Sequence, residues 1–145
     1  MALFADDAHD RVSQLIALTE RLTERLAEET RAFEVRRPQD AVAGMEETQR
    51  LANLYRHESA RVKADPSLVE NAELKQRLSL IQATEAFEAV LARHARAVEA
   101  ARTISEGIVR AIAAEVAEVR SPGGYGAGGQ AQAGDARAVT LNKQA

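Results

Sequence analysis

The sequence predicts an all-α protein, and three observations lead to that fold class. Hydrophobic residues make up 46% of the 145 positions, whereas aromatic residues make up only 3%. Ala, Leu, Glu and Arg dominate, which is typical of long helices packed through small and aliphatic side chains. The strongest strand formers are sparse and do not alternate with a period of two. We therefore expect an elongated three-helix antiparallel coiled-coil bundle with one very long C-terminal helix and a disordered Gly-rich tail.

The first helix is predicted over residues 6–36. Its apolar positions alternate three- and four-residue spacings, which form a heptad seam with two polar interruptions. Aspartates near the start suit the positive end of the helix dipole, and Arg36 and Arg37 suit the negative end. The seam consists of Val12, Leu15, Thr19, Leu22, Leu26, Glu29 and Phe33.

The second helix is predicted over residues 39–64, with Pro38 in the first turn, where its missing N–H costs nothing. We expect it to be the weakest of the three helices. Gly44 lowers its helix propensity by roughly 1 kcal/mol relative to Ala. Its apolar face is also poorer, consisting of Val42, Met45, Thr48, Leu51, Leu54, Tyr55 and Val62.

The third helix is predicted over residues 67–119, capped either by Asp65 or by Ser67, which has Glu70 at the spacing of a capping box. No proline interrupts residues 68–119, which would extend roughly 78 Å at the helical rise. A bend is expected only at Gly107. The periodic positions are Leu74, Leu78, Ile81, Phe87, Leu91, His94, Val98, Ala101, Ile104, Ile108, Ile112, Val116 and Val119.

The chain thus divides into a helical domain, residues 1–120, and a tail, residues 121–145, that holds six of the eight glycines. The tail has little to bury and is expected to be disordered in isolation. Its isolated apolar residues, such as Tyr125 and Leu141, are either incidental or part of a segment that becomes ordered on a partner.

The three helices differ in length, and this difference predicts an uncovered surface. Short connections force an up-down-up arrangement, in which the first two helices cover the third only to about Val98. Some 20 residues remain, with Ile104, Ile108 and Ile112 at i, i+4 spacing, and a soluble monomer rarely exposes so much apolar surface. A second copy, another protein's helix, or the same chain folded back at Gly107 would have to cover it.

Charge and composition exclude several classes of protein. The formal net charge is −3, and the two signs are intermixed, which argues against a nucleic-acid surface. The chain has no cysteine, so it has no disulfide and no thiolate metal site. The acidic N-terminus is not typical of a signal peptide, and no apolar run is long enough to span a bilayer. We expect a cytoplasmic protein with no membrane insertion.

No constellation of catalytic residues is visible in the sequence. The three histidines fall in different segments, and none is paired with a second metal ligand at helical spacing. His94 lies on the apolar seam and is expected to be a hydrogen-bonded core or interface residue. The glycine-rich "GGYGAGG" lacks the lysine of a phosphate loop. We expect no enzyme, no catalytic residue, no cofactor and no bound metal.

The order of features resembles a known family. A helical N-terminal pair precedes "LARHARAVEAARTISEGIVRAIAAEVAE", which is followed by "YGAGG" and a tail that ends in "VTLNKQA". This order is similar to that of the FlgN-like flagellar export chaperones, in particular their alphaproteobacterial FlbY-like branch. The specific part of the resemblance covers residues 91–145. Many members carry asparagines within the long helix, whereas here none occurs between Asn71 and Asn142.

The resemblance implies a cytoplasmic chaperone of the flagellar type III export system, without a cofactor. Such chaperones bind the C-terminal helical region of hook–filament junction (hook-associated) proteins and deliver them to the export gate, whose components are further candidate partners. The partner surface of relatives lies in their C-terminal half. Carried onto this sequence, the partner-binding residues are Val98, Ala101, Ile104, Ile108, Ile112, Val116, Tyr125 and Leu141.

Two other functions fit the same helices. One is a self-associating coiled-coil component of the flagellar basal body or of another assembly, for which a homodimer is expected. The other is an unrelated regulatory adaptor. An export chaperone would bind junction proteins, whereas a structural component would bind its own copies and ignore them.

Overall fold

The computed structural model describes residues 2–120, and all regular secondary structure within them is helical, which confirms the all-α class. The helices are α1 (Ala8–Glu34), α2 (Gln39–Val42), α3 (Met45–Ala64), α4 (Ser67–Glu70) and α5 (Leu74–Arg120). The very long C-terminal helix is therefore present. The tail predicted at 121–145 lies outside the described residues. The chain divides into a first unit, Met1–Glu99, and a second unit, Ala100–Ala145.

Helix α1 is capped at both ends by local hydrogen bonds. At its start, the backbone N–H of Asp10 donates to the Asp7 carboxylate at 2.8 Å. At its end, Arg36 adopts a left-handed backbone with φ 61°, and the Arg37 N–H donates to the Ala32 carbonyl at 2.8 Å. This is a Schellman ending, a position where glycine is the usual residue.

The predicted second helix is divided in two at residues 43 and 44, between α2 and α3. Gly44 has φ −105° and ψ 3°, which is outside the helical region. The guanidinium of Arg25 occupies the space beside it, since a Cβ at Gly44 would lie 1.3 Å from Arg25 Nη2. The low helix propensity of glycine and this close approach of α1 together account for the interruption.

The predicted third helix is also divided, because residues 71–73 separate α4 from α5. The capping box at Ser67 does not form; instead, the Ser67 N–H donates to the Asp65 carboxylate at 3.2 Å. Ala72 is buried in the break, and its carbonyl accepts from Arg77 Nε at 3.2 Å. Helix α5 then remains α-helical through Gly107 to Arg120.

Long-range contacts in the first unit define the direction of its helices. Helix α3 is antiparallel to α1, because Thr48 hydrogen-bonds Glu29 near one end while Glu58 pairs with Arg11 near the other. The first part of α5 is parallel to α1, because Gln76 donates to Ser13 at 2.8 Å and His94 lies 3.1 Å from the Thr30 hydroxyl. This is the up-down-up order expected from the short connections.

The core of the first unit forms where α1, α3 and α5 meet. Leu22, Leu26 and Phe87 are its buried centre. Six of the seven predicted seam positions of α1 are buried, and the seventh, Phe33, is half-buried. Partly buried side chains complete the cluster, namely Leu51, Ala52, Tyr55 and Val90.

The face that α5 buries in the first unit matches the predicted one only in part. Leu74, Leu78 and Ile81 were expected on the seam, but they are 61%, 49% and 52% exposed. The helix turns a partly different set of residues toward α1 and α3, of which only Phe87 and His94 belong to the predicted seam. These are Gln76, Leu80, Ala83, Thr84, Phe87, Val90 and His94, all buried or half-buried. Spacing alone favoured the larger aliphatic residues, whereas the buried face is decided by how the three helices pack against one another.

Candidate partner-binding surface

Four of the predicted partner-binding residues form an exposed apolar surface on α5 in the second unit. We call Ile104, Ile108, Ile112 and Val116 the C-terminal ridge, and their side chains are 43%, 54%, 55% and 47% exposed. Because they recur every four residues, they share one side of the helix. None of residues 100–120 is buried.

The other predicted residues fall in different surroundings. Ala101 is half-buried and lies one turn before the ridge. Val98 belongs to the first unit and is 37% exposed. Tyr125 and Leu141 lie outside the described residues, so their proposed role stays a prediction.

Helix α5 is continuous through Gly107, so the chain does not fold back on itself at this residue. A Cβ at Gly107 would meet no atom within 4 Å. The glycine is therefore not required there by a close contact. The ridge continues from Ile104 to Ile108 across this residue at unchanged helical spacing.

The polar side of the second unit carries ion pairs along the helix. Glu106 lies 3.5 Å from Arg102 and 3.7 Å from Arg110, each at i, i+4 spacing. All three side chains are at least half exposed, so these pairs contribute only tenths of a kcal/mol each. They favour the helical state and separate the polar side from the ridge.

A second surface of interest lies in the first unit and was missed by the sequence analysis. A groove of about 290 Å3 lies where α1, α3 and α5 meet. We call it the α3–α5 groove, since these two helices supply most of its walls. It is lined by Leu15, Thr19, Tyr55, Ser59, Val62, Lys63, Leu80 and Thr84.

Small polar residues, one on each of the three helices, explain why the groove stays open. Thr19, Ser59 and Thr84 occupy positions where larger apolar side chains would fill the space between the helices. Tyr55 and Phe87 make the nearest aromatic contact, with ring centroids 4.8 Å apart. Of Thr19, Ser59 and Thr84, only Thr19 belongs to a predicted seam, so the spacing of apolar residues gave no signal for the groove.

The interaction of α1 with α5 in the first unit has a charged and an aromatic part. Arg93 Nε donates to Glu34 at 2.9 Å, and this hydrogen bond lowers the pKa of the Glu34 carboxyl and raises the pKa of Arg93. Beside it, the rings of Phe33 and His94 meet edge to face at 6.1 Å. His94 is therefore a hydrogen-bonded interface residue, as predicted.

No group of three or more potential metal ligands lies among residues 2–120. Within the same range, no helix combines the length and hydropathy that a bilayer span requires.

Comparison with known proteins shows the family to which the chain belongs. No protein-family model matches the sequence. No solved structure matches either. The chain is 55% identical, over 149 aligned positions, to the flagellar basal-body protein FlbY of Caulobacter vibrioides, and the match covers 100% of both chains. With such identity over the full length of both proteins, the chain belongs to the FlbY family.

Proposed function

We propose that the chain is a cytoplasmic chaperone of the flagellar type III export system. In this proposal, the C-terminal ridge binds the C-terminal helical region of hook–filament junction proteins until they reach the export gate. The observation that carries the proposal is the exposure of the ridge, because four β-branched side chains on one side of a helix are suited to another helix. Membership of the FlbY family supports the flagellar context.

The ridge suits reversible capture of an amphipathic helix. Isoleucine and valine have few rotamers in a helix, so their side chains lose little conformational entropy on binding. Each large aliphatic side chain that becomes buried contributes about 1.5–3 kcal/mol. Ala101 and Ala111, which lie beside the isoleucines of the ridge, allow a partner helix to approach closely. Ordering of the tail, including Tyr125 and Leu141, would lower the net affinity and so favour release.

The test is a single charged substitution on the ridge. Ile108→Asp places a carboxylate in the proposed apolar contact and is expected to weaken binding of a purified junction protein's C-terminal region by at least about tenfold, or ~1.4 kcal/mol. Isothermal titration calorimetry with the full-length chain measures the affinity. Far-UV circular dichroism checks that the helicity is kept, which the exposure of Ile108 leads us to expect.

Ala114→Asp is the matched control. It introduces the same charge into the same helix, but Ala114 follows Ile112 by two residues and so lies about 160° around the helix from it. This variant is expected to bind like the wild type. If Ile108→Asp binds its client as tightly as Ala114→Asp does, the ridge is not the binding site.

The name of the Caulobacter relative, a basal-body protein, favours a second candidate function. A structural component of the basal body would use the ridge for self-association rather than for a client. Sedimentation equilibrium distinguishes the two: a tight oligomer that is unchanged by a junction protein supports the structural role, whereas transfer to a mixed complex supports the chaperone.

A further inference from the structure

Three large aliphatic side chains of α5 face away from the core of the first unit. Leu74, Leu78 and Ile81 follow one another at spacings of four and three residues, so they share one side of the helix. All three are exposed. The core residue Phe87 follows Leu78 by nine residues and so lies about 180° around the helix from it. We call the three exposed residues the outer patch.

The outer patch has no role in the core of the first unit. That core forms around Phe87, on the opposite side of α5. The solvent-facing side of a surface helix normally carries polar residues, whereas apolar residues at heptad spacing are typical of contact with another helix. The outer patch therefore indicates a helix that packs on α5 from outside the first unit.

Exposed charges of opposite sign border the two ends of the outer patch. Lys75 precedes Leu78 by three residues, and Glu85 follows Ile81 by four, so the two charges lie at nearly equal distances from its centre. In the described part of the chain, neither has an opposite charge within ion-pair distance. Glu85 lies about 20° around the helix from Leu74, toward the flank that carries Lys75.

We propose that the outer patches of two copies pack against each other as an antiparallel helix pair, with Leu78 of each copy against Ile81 of the other. In this register, Lys75 of one copy and Glu85 of the other differ in height by only about 1.5 Å along the helix axes. The contact thus has an apolar centre with an ion pair at each end. It does not depend on the proposed function, since neither a client nor the C-terminal ridge takes part.

A second copy fits the outer patch because its charge pattern is complementary to itself when reversed. In a parallel pair, Lys75 would face Lys75 and Glu85 would face Glu85. A two-fold axis perpendicular to both helices instead brings opposite charges together on the same flank, and the resulting isologous contact closes after two copies. It uses residues of the first unit alone.

The dimer is expected to be weak. Three aliphatic side chains from each copy bury much less surface than a standard protein–protein interface does. We therefore expect a dissociation constant of about 100 µM.

Sedimentation velocity of the full-length chain, from about 5 to 500 µM, tests the proposal. All samples carry Ile108→Asp, which weakens any association through the ridge, and the chain with this change alone is the parent. Leu78→Asp places a carboxylate in the centre of the contact and is expected to raise the dissociation constant at least about tenfold. Circular dichroism checks that the helicity is kept, as the exposure of Leu78 leads us to expect.

Val42→Asp is the matched control. It puts the same charge in place of another exposed aliphatic side chain, but Val42 lies on α2 and not on α5. This variant is expected to dimerise like the parent.

Charge reversal tests the antiparallel register. Lys75→Glu and Glu85→Lys each bring like charges together at both ends of the contact, and each is expected to raise the dissociation constant about fivefold. A mixed dimer of the two variants has opposite charges at both ends. An equimolar mixture is therefore expected to associate more strongly than either variant alone.

Three results would overturn the proposal. A parent that stays monomeric up to about 500 µM would show that the outer patches do not pair. A Leu78→Asp variant that dimerises like Val42→Asp would place the dimer contact elsewhere. A charge-reversed mixture no more associated than its components would exclude the antiparallel register. The proposed function is tested separately, by titration of a junction protein against chains with and without Ile108→Asp.

Discussion

Glu58 is a carboxylate with no exposed surface, in the middle of α3. One of its oxygens accepts from the Leu3 backbone N–H at 2.7 Å, and the other lies 3.5 Å from Arg11 Nη1. Arg61 approaches from the next turn at 3.3 Å. A buried charge is tolerated only when it is paired and hydrogen-bonded, so Glu58 holds the N-terminal segment and α1 on α3.

Glu58→Ala is expected to lower the free energy of unfolding by about 3 kcal/mol, because it leaves Arg11 buried without its counter-charge. The N–H of Leu3 would also lose its acceptor. Glu58→Gln should lower the free energy of unfolding by less than Glu58→Ala does, since the glutamine amide oxygen can still accept a hydrogen bond from the Leu3 N–H. Urea denaturation followed by circular dichroism measures both variants.

The control is Glu24→Ala. Glu24 pairs with Arg21 at the surface, with 65% of its side chain exposed. Such a pair contributes little to stability, so Glu24→Ala is expected to lower the free energy of unfolding by less than about 0.5 kcal/mol. Equal losses for Glu24→Ala and Glu58→Ala would contradict the structural role of the buried carboxylate.

Among the helices, α5 shows how the same apolar spacing can belong to a buried and to an exposed face. Phe87 is 8% exposed and contacts Leu22 and Leu26 of α1. Leu78 is of comparable hydrophobicity and lies about two and a half turns earlier, but 49% of it is exposed. The two residues therefore differ in their contribution to stability, although both follow the periodic pattern.

We expect Phe87→Ala to lower the free energy of unfolding by about 3–5 kcal/mol, through lost burial and the cavity left in the core. Leu78→Ala should lower the free energy of unfolding by less than about 1 kcal/mol, since the Leu78 side chain buries little apolar surface on folding. Urea midpoints of the two variants at the same protein concentration provide the comparison. A larger effect for Leu78→Ala would place the core of the first unit on the other face of α5.

The helix boundaries were predictable where they depend on local chemistry. Proline, an aspartate cap and the end of the apolar pattern placed α1 and the start of α2 within a few residues. The breaks at residues 43–44 and 71–73 were not predicted, because they depend on long-range packing. At Gly44, the guanidinium of Arg25 from α1 occupies the space beside the backbone. At Ala72, the break buries a small side chain.

At the scale of the whole molecule, all of the buried residues of the described chain lie in the first unit. The core around Leu22, Leu26 and Phe87 needs no residue beyond Glu99. The first unit therefore has the contacts that an independently folding domain requires.

A chain that ends after Glu99 is expected to unfold cooperatively, with a free energy of unfolding within about 1 kcal/mol of the full-length value. Tyr55, which contacts Phe87, reports on this core by its fluorescence. Urea denaturation at low micromolar concentration measures the value. A non-cooperative transition would mean that the first unit depends on residues after Glu99.

Helix formation, the heptad seam of α1 and the apolar ridge of α5 could be derived from the sequence alone. They follow from backbone hydrogen bonds and side-chain spacing within a few turns of one segment. The buried face of α5, the groove beside Tyr55 and the pairing of Glu58 were decided only by the tertiary structure. Each depends on how the side chains of helices distant in sequence share one space, and residue spacing carries no information about that fit.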